Sequence, residues 1–135
     1  MNTNQLIIEH ESPYNVPVTV EKLIAAANQK GWQNPAVHNL QQSLAKSGKE
    51  VLPVEVIEIC KPEYSGQMLE MNDERIVSVM MPCRISVYEK EDGKTYIALL
   101  SMSAMASQLP VTVATVIRAA NDESFDIVKS VIGEF

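Results

Sequence analysis

The chain has 135 residues, 46% hydrophobic and 21% charged, the balance of a folded globular protein and not of a disordered one. That is near the commonest domain size, so one domain is expected, able to bury about two-thirds of its unfolded surface without disulfide or metal staples. A net charge of −6, with eleven Lys and Arg scattered from Lys22 to Lys129, offers no positive patch, which argues against nucleic acid and anionic membranes as partners.

Residues 5–10, with Leu6, Ile7 and Ile8, read as a first strand starting at Gln5. Pro13 and Pro17 punctuate a loop, and Thr19 is placed to cap a helix running to Lys30, stopped by Gly31. Within it Val20, Leu23, Ile24 and Ala27 recur at i, i+3, i+4 and i+7, so that face packs inward, and Trp32 follows. Residues 35–38 read as a short strand and residues 39–47 as a short helix ended by Gly48. Residues 51–60 are β-branched and strand-like, but the alternation slips. Val54 and Val56 share one face and Ile57 and Ile59 alternate out of step, which predicts either two covered faces or a bulge near Val56. Glu55 and Glu58 then fall on opposite faces, a poor acid/base pair.

Pro62 opens a helix expected to run to about Met71, with Met68 and Leu69 inward. Residues 76–89 carry an apolar set at period two: Val77, Val79, Met81, Cys83, Ile85 and Val87. Pro82 interrupts it and marks an edge, a bulge or a division into two strands. Asp92-Gly93 between strand-like runs predicts a two-residue hairpin with Glu91 opposite Lys94. That register sets Val87 against Ala98, Ile85 against Leu100 and Cys83 against Met102. Pro110 then opens a helix with Val113, Val116, Ile117 and Ala120 on one face, and Asn121 caps a last helix docked by Phe125, Val128 and Ile132.

The longest apolar runs, such as residues 23–27, fall far short of the ~20 residues that span a bilayer. Residues 1–11 lack the pattern of a secretory signal. A cytoplasmic location is expected, with both cysteines as thiols.

The candidate chemistry is sulfur. The hairpin register gathers Met81, Cys83 and Met102 on one face, with Met105 a helical turn beyond Met102. Thiolate and thioether ligands suit a soft metal such as Cu(I), or haem iron, and an apolar sulfur-lined pocket suits a small hydrophobic ligand. The competing reading is ordinary core, because Met fills irregular gaps and free Cys packs as a small hydrophobe. Cys60 sits where a strand gives way to a helix, beside Lys61, a position that favours a thiolate. It is expected at the rim of the pocket or as a metal ligand with Cys83 and Met102. Cys60 and Cys83 are alternatively the thiol pair of a redox enzyme or sensor, although they lack Cys-x-x-Cys spacing. Tyr64 is a candidate pocket wall. His10 and His38 lack a metal-ligand spacing, and no phosphate loop, nucleophile elbow or His-Glu-x-x-His is present.

Three stretches carry a family resemblance: Cys60-Lys61-Pro62-Glu63-Tyr64, residues 81–89 (Met-Pro-Cys-Arg-Ile-Ser-Val-Tyr-Glu) and Asp92-Gly93-Lys94. In order and spacing they resemble the family called domain of unknown function 302, over residues 5–132, in a cysteine-bearing branch. The resemblance implies an α+β fold, β-α-β-rich, with a mainly antiparallel sheet gripped by helices in a helix-grip or TBP-like manner, and often a homodimer. It implies no activity and no catalytic residues. The expectation is therefore a small binding module. The alternatives are the thiol redox protein and a purely structural homodimeric interaction protein.

Overall fold

The computed structural model of the chain describes residues 6–133. Five antiparallel strands form one sheet in the order β1-β5-β4-β3-β2: β1 Ile7–Ser12, β2 Val37–Asn39, β3 Val54–Ile59, β4 Cys83–Glu89 and β5 Thr95–Leu100. The helices are α1 Val16–Gln29, α2 Leu40–Ala45, α3 Pro62–Leu69, α4 Ser103–Ala106 and α5 Val111–Ile132, with a 3-10 segment at Asp73–Met80. This is the expected α+β architecture. Among the described residues no helix is long and apolar enough to cross a membrane.

The core forms because period two on the strands and period 3.6 on the helices each yield one apolar face. Ile57, Ile59, Ile85, Val87, Ile97 and Leu99 form the sheet side. Val16, Val20, Leu23 and Ala27 of α1 and Ala120, Ile127 and Val128 of α5 form the helix side. A second apolar cluster, Met68, Val77, Ala106, Val113, Ala114, Val116 and Ile117, joins α3, the 3-10 segment, α4 and the first half of α5.

Several local expectations are corrected. The first strand lies two residues later than expected, and Gln5 falls outside the described residues. The first helix starts at Val16, because Asn15 is the cap and its side chain accepts from the Val18 N–H at 2.9 Å. Thr19 is instead fully buried, hydrogen-bonded to Ser12 at 2.7 Å. Pro17 belongs to the first helical turn, where a missing N–H costs nothing. β3 pairs with β4 without a skipped residue from Val54–Tyr88 to Ile59–Cys83, so there is no bulge at Val56. The helix opened by Pro62 ends at Leu69, short of Met71.

The hairpin is the largest correction. Ile85 pairs with Leu99, Val87 with Ile97 and Glu89 with Thr95, one residue away from the expected register. The Gly93 N–H donates to the Lys90 carbonyl (3.0 Å), the Lys90 N–H donates to the Lys94 carbonyl (3.1 Å), and Gly93 alone adopts positive φ, +79°. The loop is therefore Glu91-Asp92-Gly93, a turn followed by a left-handed glycine, and not the two-residue turn that needs positive φ at both positions. A one-residue slip exchanges faces. Ile97 and Leu99 go to the core, while Ala98 and Leu100 go to the opposite face of the sheet.

The strand expected over residues 76–89 is a strand only from Cys83. Residues 73–80 coil into the 3-10 segment, with Val77 buried and Ile76 and Val79 exposed. Pro82, after a cis peptide bond, stands at the boundary. The two expected C-terminal helices are one. The buried positions Val113, Val116, Ile117, Ala120, Ser124, Ile127 and Val128 keep helical spacing straight through Asn121, which caps nothing.

Candidate functional site

A cavity of about 310 Å³ opens where the sheet, the 3-10 segment, α4 and α5 meet. Met68 comes from α3, Met80 and Met81 from the end of the 3-10 segment, Cys83 from the start of β4, Met102 from the exit of β5 and Met105 from α4. Five of the seven methionines in the chain thus wall one space. Ile117 and Ala120 of α5 and Leu99 of β5 close its floor.

Met81, Cys83 and Met102 are brought together as expected, though not by the expected pairing. In the observed register Cys83 faces Ile59 of β3, and β5 ends at Leu100, before Met102. Met102 reaches the cavity because the chain leaves the sheet there and is clamped by Asn121. The Asn121 Oδ1 accepts from the Met102 N–H (3.0 Å) and its Nδ2 donates to the Leu100 carbonyl (2.9 Å). An amide inside a helix, with its own backbone satisfied, is free to tie down a strand end in this way.

Cys60 and Tyr64 do not line the cavity. Cys60 exchanges backbone hydrogen bonds with Gln33, and its Sγ lies 3.6 Å from the Ser65 hydroxyl. It is close enough to Cys83, which pairs with the neighbouring Ile59, to affect its titration. Burial first, and the nearby Cys60 second, push the Cys83 thiol up, so Cys83 presents a neutral S–H to the cavity at neutral pH. Both cysteines are free thiols. Among the described residues no three His, Cys, Asp or Glu side chains gather as a metal site. His38 instead bonds Glu58 at 2.9 Å, and His10 stands on β1, its pKa lowered by burial.

Tyr64 belongs to a polar knot that the sequence reading missed. Glu123 of α5 accepts from the Trp32 indole N–H (3.0 Å), from Lys61 Nζ (2.9 Å) and from the Tyr64 hydroxyl. The Trp32 and Tyr64 rings pack with centroids 6.0 Å apart. Burial raises the Glu123 pKa, but the three donors outweigh it and hold the carboxyl below its ordinary value. The same hydrogen bond pushes Tyr64 up to about 12. The signal that reveals the role of Glu123 is the unbroken periodicity of α5, which sets it mid-helix beside the buried face.

No curated protein matches the chain. The crystal structure of an uncharacterized conserved DUF302 protein from Bacillus stearothermophilus superposes with a TM-score of 0.84 at 16% identity, covering 94% of this chain and 98% of that one. At that identity the likeness establishes the fold. The family model described as domain of unknown function DUF302 matches residues 8–131, nearly the whole described chain. The chain therefore belongs to the DUF302 family.

Proposed function

We propose that the protein is a small binding module whose methionine-walled cavity holds a compact apolar ligand. The observation that carries the reading is the convergence of five methionines and Cys83, from five separate segments, on one cavity. Thioether side chains are polarizable and adaptable, the character of surfaces that accept apolar ligands. About 310 Å³ lies at the small end of ligand pockets, which favours a compact molecule over haem. The raised pKa of Cys83 supports a packing role over a thiolate nucleophile, so the redox reading with Cys60 has less support. A second reading keeps the same walls: several thioethers around one space are a soft donor set suited to Cu(I).

Native mass spectrometry of the purified protein in reducing buffer, with and without a chelator, tests both readings. A mass excess lost only on denaturation supports the apolar ligand, and one removed by the chelator supports the metal. A bare mass, joined to failure of 1-octanol to bind, removes both. The spectrum also reads self-association. The sheet face opposite the core pairs exposed Ile7 with exposed Leu100, and we take that face as the surface of a homodimer.

A further inference from the structure

We infer that the ligand of this cavity is a compact aromatic molecule, the size of a fused two-ring system, held by the methionine sulfurs around it. The inference rests on the apolar-ligand reading and adds the class of molecule. The thioethers of Met68, Met80, Met81, Met102 and Met105 border one space. Among the described residues no Phe, Tyr or Trp lines it. Tyr64 packs against the apolar cluster that includes Met68, yet it stays outside the cavity lining. The sulfurs therefore surround a space into which the chain itself puts no ring.

A thioether differs from an aliphatic side chain in one property that a ligand can read. Its sulfur is polarizable and makes favourable contacts with an aromatic ring, often at the ring edge. An aliphatic ligand gains from sulfur only what leucine or isoleucine walls would give it by burial. An aromatic ligand gains further at each sulfur it meets. The remaining walls call for no charged group. Asn121 holds the Met102 N–H and the Leu100 carbonyl, and the Ser124 hydroxyl donates to the Ala120 carbonyl at 3.0 Å. Arg84 alternates along β4 with Cys83 and buried Ile85, which turns its side chain to the opposite face of the sheet. At the roughly 30 Å³ that one water-sized unit occupies in liquid, the cavity has room for about ten non-hydrogen atoms, which matches two fused rings.

Isothermal titration of the full chain with 2-naphthol and with its saturated counterpart, decahydro-2-naphthol, tests this. The two share one carbon skeleton and one hydroxyl, so burial alone creates no preference for the aromatic member. 2-Naphthol is expected to bind about tenfold more tightly, the scale of a few sulfur–ring contacts. Met81→Leu combined with Met102→Leu keeps volume and apolarity. It should cut the preference to about threefold or less, with continued binding of the saturated alcohol showing that the cavity is intact. In the parent protein the methionine methyl resonances should move further with 2-naphthol, whose ring current reaches them, than with the saturated alcohol. Equal affinities or equal methyl shifts in the parent overturn the aromatic assignment and leave the apolar cavity standing. A tenfold preference that survives both substitutions also overturns it. Failure of both alcohols while 1-octanol binds overturns this assignment alone, and failure of all three removes the cavity reading with it.

Discussion

One turn of α5 serves two regions built on opposite rules. Ala120, Asn121 and Ser124 border the sulfur-walled cavity, while Glu123 anchors the knot of Trp32, Lys61 and Tyr64. In the knot the carboxylate is met by three donors, and no buried side-chain nitrogen or oxygen among the described residues lacks a partner. In the cavity the walls are adaptable thioethers around space that the chain itself does not fill. The contrast teaches how the helix can be fixed in position while the space beside it stays open. The polar knot supplies direction, binding α5 to the loop after α1 and to the start of α3, and the cavity supplies volume.

The largest effect expected from breaking this contrast is in the knot. Glu123→Ala leaves Lys61, Tyr64 and the Trp32 N–H without their shared acceptor and should destabilise the fold by about 2 kcal/mol, the scale of hydrogen bonds to a charged group in a partly exposed site. Chemical denaturation reads this as a lowered midpoint with unchanged slope.

The knot should also set a dependence on pH at both ends. The folded Glu123 pKa is depressed, so its contribution is present above the ordinary value of 4.5 and is lost as pH falls through the lower folded value. Tyr64 is raised from 10 to about 12, so its contribution is complete below pH 10 and is lost as pH rises from 10 to 12. Tyr96, raised to about 12 by its bond to Asp92, adds to the alkaline loss. Thermal melts across pH should therefore show Tyr64→Phe less stable at pH 7 and with a shallower alkaline decline than the parent. An unchanged alkaline decline would show that the bond to Glu123 does not matter.

The smallest effect on stability belongs to the cavity. Met102→Leu keeps volume and apolarity and should cost under about 1 kcal/mol, while changing the affinity for octanol. A large loss of stability with unchanged binding would make Met102 ordinary core.

Much of the fold was legible because the main elements carry clean periodicities. The inward face of α1, the helix opened by Pro62 and the strand from Cys83 to Val87 each follow from residue spacing. The failures share a physical origin, in that local signals have more than one solution. Asp-Gly is compatible with a two-residue and a three-residue turn, and the choice was made by burying Ile97 and Leu99 in place of Ala98 and Leu100. Residues 76–81 alternate like a strand, yet short apolar runs are ambiguous, and a 3-10 segment buries Val77 alone. Asn121 resembles a cap only when the periodicity on either side of it is read separately. The sulfur site was legible in composition, since residues 68–105 hold six of the seven methionines. Its geometry was not, because Met102 is placed by Asn121 from another element and not by strand pairing.

The most direct test of the cavity as a binding site is a titration of methyl-labelled methionine with 1-octanol, followed by NMR with each methyl assigned through single Met→Leu variants. The account predicts that Met68, Met80, Met81, Met102 and Met105 shift together along one binding curve while Met71, outside the lining, stays in place. Static resonances at those five, or a response at Met71 as large as theirs, would contradict it.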